Sequence, residues 1–222
     1  MLVDTDQVNL EETKHLISTP SFAYCADVSD EGRMLDLSKQ VSSEVGLPRI
    51  LVACAGILGP RGLPIWESTN EDWARVLSVN LYGTLNCVRV FAPLLENADG
   101  PSHIALLSST VGLWAPRSAG IYAASKHALV SLAESLQYEL SAANSSIGVS
   151  LICPRAVRTS FNAAVRTDHS RSRPTGSDYI EPDDVAVKVI DAIASGDFYV
   201  FTHDGTKEVL AAYYDTVLRT LE

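Results

Sequence analysis

The sequence predicts an α/β fold: a doubly wound parallel sheet in a single domain spanning residues 1–222. Three observations predict it. Short apolar runs alternate with longer helix-periodic stretches along the whole chain. The runs are continuous in hydrophobicity rather than alternating, as parallel strands buried on both faces are. The length suits one such domain with a sizeable core.

In chain order, the helical pattern of Leu10–Ile17 precedes a strand at Phe22–Cys25, and Glu31–Val45 is the next helix. Ile50–Ala53 is a strand, and Glu71–Leu95 is a long helix for which Thr69 or Asn70 serves as N-cap, with acids in the first turn. The strand His103–Leu107 leads to the helix Ile121–Ala142, and the strand Val149–Cys153 follows. Pro182 suits the first position of a helix reaching Ala194. A last strand, Phe198–Thr202, and a last helix, Thr206–Leu221, complete the pattern. The polar stretch 160–181, with Arg166, Arg171 and Arg173, has little periodicity. A loop of that length is either a lid over a crevice or a mobile surface loop.

Composition narrows the function. Hydrophobic residues make up 46% and charged ones 20%, the mark of an ordinary globular protein. A formal net charge of -10 argues against nucleic acid or an anionic membrane as main partner, because both repel it. Cys25, Cys54, Cys87 and Cys153 lie far apart in or beside apolar runs, which favours buried, reduced thiols over disulfides. The histidines show no ligand spacing, so no metal site is expected. The acidic start is unlike a secretory signal, and no apolar run reaches the roughly 18 residues that span a bilayer. The expected location is the cytoplasm.

The chemistry-bearing motif is Tyr122-Ala-Ala-Ser-Lys126. On a helix, positions i and i+4 share a face, so phenol and ammonium can meet, although such pairs are common by chance. Other residues make this pair specific. Ser109 ends a strand 122 − 109 = 13 residues upstream, and Asn80 lies inside the long helix. Ala55-Gly56 follows one strand, Asp27-Val28 another, and Pro154, Val157 and Thr159 a third.

In this order and spacing the residues resemble the short-chain dehydrogenase/reductase family, over nearly the whole chain. The resemblance implies a Rossmann-like fold, with Asn80, Ser109, Tyr122 and Lys126 as catalytic tetrad. It implies a nicotinamide cofactor, NAD rather than NADP, and a small alcohol or ketone substrate. Asp4, after Leu2-Val3, matches the acidic residue that binds ribose hydroxyls and repels a 2′-phosphate. Asp27 and Val28 would contact adenine, with Ala55 and Gly56 beside the adenosine. Pro154, Val157 and Thr159 would reach the nicotinamide and phosphates, and Tyr122 and Lys126 would also touch the cofactor. Asn80 would hold a water linking Lys126 to solvent. A phenol with pKa near 10 needs roughly 4 kcal/mol of phenolate stabilisation to act as a base at neutral pH. Lys126 would supply part of it.

Three departures stand out. Ala53-Cys54-Ala55-Gly56 replaces the family's Asn-Asn-Ala-Gly, and Pro154-Arg155 its Pro-Gly, where arginine is expected to tolerate the backbone less well than glycine. No Gly-x-x-x-Gly-x-Gly phosphate turn occurs, so by motif the chain begins at the family's second strand. In the family's sheet order, 3-2-1-4-5-6-7, the absent strand is the central one. The expectation is a sheet divided into two strands and four, a chain shortened at its N-terminus, and loose NAD binding by residues 1–222 alone. The alternative function is a non-catalytic binding or regulatory subunit. Homo-oligomerisation is expected through the helices after Tyr122 and Pro182, the former offering Leu129, Leu132, Leu136 and Leu140 as an apolar stripe.

Overall fold

In the computed structural model, which describes residues 1–117, 119–159, 161 and 179–221, the apolar runs form parallel strands with helices packed against them. Strand β1 (Leu2–Asp4) pairs with β2 (Ala23–Cys25), joined by helix α1 (Gln7–Leu16), whose N-cap Asp6 accepts from the amides of Val8 and Asn9. Helix α2 (Glu31–Glu44) is capped by Asp30 and leads to β3 (Ile50–Ala53). The second ladder runs β3, β4 (Ser102–Leu107), β5 (Ile147–Cys153) and β8 (Tyr199–Phe201), all parallel. Helix α5 (Gly120–Ala142) connects β4 to β5, and α6 (Pro182–Ser195) precedes β8. Helix α7 (Thr206–Leu218) follows, and its last turn, Arg219–Leu221, is 3-10 where sequence periodicity predicts unbroken helix. A two-residue ladder not foreseen from sequence joins β6 (Ala156–Val157) to β7 (Tyr179–Ile180). Most of the polar stretch 160–181 read as a lid lies outside the described residues.

The sheet is divided. No ladder hydrogen bond joins β1 to β3 among the described residues, and the two-and-four division falls where the motif order puts it. What unites the halves is the core beneath. Tyr24, Met34, Leu37 and Val41 from the first half are buried in one cluster with Leu51, Ala53, Phe91, Leu95 and Ile104 from the second. Val28, just after β2, seals the joint. Its carbonyl accepts from Asn86 Nδ2 at 2.9 Å, and its Cγ2 lies 2.5 Å from where a Cβ on Gly83 would stand. Where no helix covers the sheet, Ile50 and Val52 of β3 are about half exposed.

Sequence periodicity predicts one helix over Glu71–Leu95. The structure instead has α3 (Asn70–Leu77), a π-helical turn over Ser78–Gly83, and α4 (Thr84–Glu96). Thr69 and Asp72 form a reciprocal capping box at the start. The π turn inserts an extra residue into the helix, a distortion frequent at functional sites. It carries Asn80, which is fully buried.

The cysteine expectation is half right. All four are free thiols, but only Cys87 and Cys153 are buried. Cys25 ends β2 and Cys54 follows β3, so both stand at open strand ends and are exposed.

Gly83→Ala forces a methyl into Val28 across the joint between the two ladders. Overpacking of this kind costs about 1–3 kcal/mol. The urea midpoint of the variant is expected to fall; an unchanged midpoint would show that the joint is not tightly packed.

Candidate active site

The candidate residues gather at one edge of the molecule. Asp4, Asp27, Cys54 to Gly56, Ser109 and Pro154 lie at or just beyond the carboxyl ends of β1, β2, β3, β4 and β5. The crevice outside the carboxyl ends of the strands is where open α/β sheets bind ligands.

Helix α5 brings Tyr122 and Lys126 to one face, as the i and i+4 spacing predicts. The Lys126 Nζ lies 5.7 Å from the Tyr122 ring centroid. It donates to the Leu107 carbonyl at 2.8 Å, and no carboxylate pairs with it among the described residues. Burial lowers the ammonium from its ordinary 10.5 to about 8, opposed by the nearby Cys54 and Cys153 sulfurs. Tyr122 is also buried, and desolvation pushes its phenol up to about 12 against the opposing pull of the Ser109 hydroxyl and the Arg61 guanidinium. Loss of hydration here outweighs the neighbouring donors and charge. Tyr122 therefore holds its proton more firmly than a free phenol does.

Ser109 is placed by a close approach. The 3-10 turn Thr110–Gly112 presses on α5, and a Cβ on Gly112 would stand 2.7 Å from the Lys126 carbonyl oxygen and 2.8 Å from Ser108 Oγ. Ser108 Oγ donates to that same carbonyl at 3.1 Å. Ser109 Oγ donates to the Pro154 carbonyl at 3.1 Å, tying the end of β4 to the loop after β5.

The Asn80 side chain ties the loop after β3 to α5. Its Oδ1 accepts from Ile57 N at 2.7 Å, and its Nδ2 donates to Ile57 O and Ser125 Oγ, each at 2.9 Å. Both Nδ2 protons are thereby committed. The side chain staples the loop after β3 to α5 through Ser125, a buried residue whose hydroxyl donates to the Tyr122 carbonyl at 2.7 Å. A Cβ on Gly56 would lie 3.4 Å from Asn80 Oδ1 and 3.6 Å from Lys126 Nζ, so glycine keeps the approach to the ammonium clear.

The outer residues are placed less tightly. Asp4 is exposed and its Oδ1 accepts from Asp6 N at 2.9 Å. Asp27 Oδ1 accepts from the amide and hydroxyl of Ser29, which orders the turn. Ala55 is exposed, Val157 half-buried and Thr159 exposed. Arg155 avoids the left-handed region, since Asn144 is the sole non-glycine with positive φ among the described residues. The replacement of glycine there carries no backbone strain, contrary to expectation.

Two residues went unread in the sequence. Phe161 sets its ring 6.1 Å from that of Tyr122, and Arg61 brings a second cation toward the phenol. Neither belongs to a short motif. Arg61 had a signal in its flanking glycines, Gly59 and Gly62, whose positive φ shapes the loop that presents it.

A profile described as short chain dehydrogenase matches residues 1–170. The chain belongs to the short-chain dehydrogenase family. A short-chain dehydrogenase/reductase from Burkholderia phymatum, solved in complex with NAD, superposes with a TM-score of 0.87 at 31% identity, covering 99% of this chain and 85% of that one. The 1-deoxy-11-beta-hydroxypentalenate dehydrogenase of Streptomyces avermitilis is 29% identical over 199 residues, 90% of this chain and 72% of the relative. An uncharacterized NAD-dependent oxidoreductase of Mycobacterium tuberculosis is 39% identical over 133 residues, 60% of this chain and 47% of its own length. Among the described residues of this short-chain dehydrogenase, no helix is long and apolar enough to cross a membrane, and no cluster of His, Cys, Asp and Glu fits a metal.

The buried lysine gives a pH signature. Its folded pKa, about 8, lies below the ordinary 10.5, so the unfolded chain binds more protons between these values and stability rises with pH there. Below about 8 the cost of burying the charge is complete; above it the folded state sheds the proton and the cost lifts. Relative to Lys126→Met, which has no charge to bury, the wild type should therefore gain stability from pH 8 to 10.5. Urea unfolding of both proteins across that range checks it, and a constant difference would mean the ammonium is not desolvated.

Proposed function

We propose that the protein is an NAD(H)-dependent oxidoreductase that interconverts a secondary alcohol and a ketone. The observation that carries this reading is the grouping of Tyr122, Lys126 and Ser109 at the carboxyl edge of the sheet. Lys126 has N–H bonds beyond the one given to Leu107, which suits it to ribose hydroxyls.

In this reading Lys126 holds ribose hydroxyls and Asp4 those at the adenosine end, where its charge disfavours a 2′-phosphate. Asp27 and Val28 border the adenine, Ala55 and Gly56 the adenosine, and Pro154, Val157 and Thr159 the nicotinamide and phosphates. A bound nicotinamide supplies or accepts the hydride. The protein's own residues manage the proton. Ser109 turns its hydroxyl from Pro154 to the substrate oxygen and fixes it beside Tyr122. In ketone reduction Tyr122 gives its phenolic proton to that oxygen, and burial keeps the proton in place until then. In alcohol oxidation the phenolate must form first, stabilised by the Lys126 charge. Asn80 positions rather than reacts, holding the 56–57 backbone and α5 at a fixed spacing.

A non-catalytic binding role is the second reading. It is favoured by the divided ladder. Titration of NADH, followed by its fluorescence, separates the two. Saturable binding that weakens in Lys126→Ala supports the enzyme; no binding by the wild type supports the alternative. Tyr122→Phe is expected to leave NADH affinity unchanged and lower turnover at least ~10²-fold, the value of a lost acid–base group. Equal turnover would remove Tyr122 from the mechanism.

A homo-oligomer is part of the proposal. Helix α6 leaves the apolar Val187 and Ile190 more than half exposed, beside the edge strand β8. The α5 stripe contributes less than sequence implies, because Leu129 is buried and Leu136 and Leu140 pack on the chain's own core. Light scattering at micromolar concentration should give a multiple of the 23.9 kDa chain mass; a monomeric mass would reject this.

A further inference from the structure

Immediately after β8 the chain reads Thr202-His203-Asp204-Gly205, a run to which neither the catalytic group nor the core gives a purpose. The His203 ring is half-buried and reaches back 47 residues to the loop that follows β5. Nδ1 accepts from the Arg155 amide at 3.3 Å and lies 2.8 Å from Thr202 Oγ1. Nε2 lies 3.0 Å from the Ala156 carbonyl oxygen. These contacts fix the protonation. The Arg155 N–H points at Nδ1, so that nitrogen carries a lone pair, and Nε2 must bear the hydrogen given to Ala156. The Thr202 hydroxyl then donates to Nδ1 as well. His203 is itself anchored, since the Thr206 hydroxyl donates to its carbonyl at 2.7 Å.

From the other side the same loop is held by β4. Both Ser109 Oγ and the Thr110 amide donate to the Pro154 carbonyl, at 3.1 and 3.0 Å. Beyond it, β6 pairs with β7 and the Arg158 guanidinium bonds Glu181 at 2.6 Å. The turn is thus held from several sides, and among the described residues His203 is the side chain that contacts both the Arg155 amide and the Ala156 carbonyl. Arginine stands where the family's glycine is expected, and the Arg155 amide bond to the imidazole sets that residue's backbone.

We propose that His203 is a positioning residue that clamps Pro154–Val157 into the shape this loop presents to the nicotinamide. The inference rests on the reading of that loop as part of a cofactor site. The clamp also reaches Ser109, whose hydroxyl rests on Pro154, so its loss disturbs the loop and the proton-transfer group together.

Three variants separate the two hydrogen bonds. His203→Ala removes both. His203→Asn keeps an acceptor at the Nδ1 position and loses the donor to Ala156, whereas His203→Gln keeps a donor near the Nε2 position and loses the acceptor. In the cofactor-free full chain, hydrogen exchange of the Arg155 amide, read by ¹⁵N NMR, should accelerate about fivefold or more in Ala and Gln and stay near wild type in Asn. NADH affinity should fall about fivefold for each bond lost, so Ala is weakest and Asn and Gln restore part of it. Urea midpoints serve as control: a global loss of stability that tracks all three variants alike would show a merely structural residue and overturn the proposal. So would Arg155 exchange that ignores the Ala variant, or faster exchange with unaltered NADH affinity. Wild-type protein that fails to bind NADH overturns the oxidoreductase reading, and with it the positioning role, while the exchange data still decide whether the clamp exists.

Discussion

A buried lysine ammonium, with no carboxylate paired to it among the described residues, is the constraint around which this molecule is arranged. Lys126 is 3% exposed, and among the described residues its ammonium donates to the Leu107 carbonyl. Burying a charge is expensive unless polar groups replace its hydration, and the surroundings supply only part of that replacement. The structure bears the cost because several elements converge on this point. The turn after β4 presses on the Lys126 backbone through Gly112, the loop after β3 is stapled over it by Asn80, and Gly56 leaves the approach open. Strain of this kind, tolerated because the rest of the fold over-determines it, is usual where chemistry is done.

The π turn serves the same end. A regular helix over residues 70–96 would carry Asn80 past the loop at Ile57; the extra residue turns its amide to meet the backbone N–H and C=O of that residue and Ser125. Helix propensity gives no warning of such a turn, because the deciding interactions lie 23 and 45 residues away in sequence. The divided sheet shows the reverse balance. Ladder bonding is interrupted between β1 and β3, and the halves stay together through side-chain burial, with Met34, Leu37 and Phe91 in one cluster.

Much of this was legible in the chain. Continuous apolar runs gave the four-stranded ladder within a few residues, and the cap at Thr69 and the first helical position at Pro182 fell at real helix starts. The pairing of Tyr122 with Lys126 follows from helical spacing alone. What sequence could not give were properties of assembly. The upward shift of Tyr122 depends on how deeply tertiary packing buries it, and Asn80's partners depend on a loop whose path no local pattern fixes. The exposure of Cys25 and Cys54 follows from their place at strand ends that no neighbouring element covers. His203 carries no motif at all; its meaning comes from the Arg155 and Ala156 backbone it touches.

The central claim is that Lys126 is a desolvated cation held at the mouth of a nicotinamide site. The direct measurement is a pH titration of the lysine side-chain ¹³Cε resonances, assigned with Lys126→Met, in the free protein and with NADH. The account predicts one resonance titrating near 8, well below the other lysines, and shifting when NADH is added. A Lys126 signal that titrates with the surface lysines and ignores NADH would contradict it.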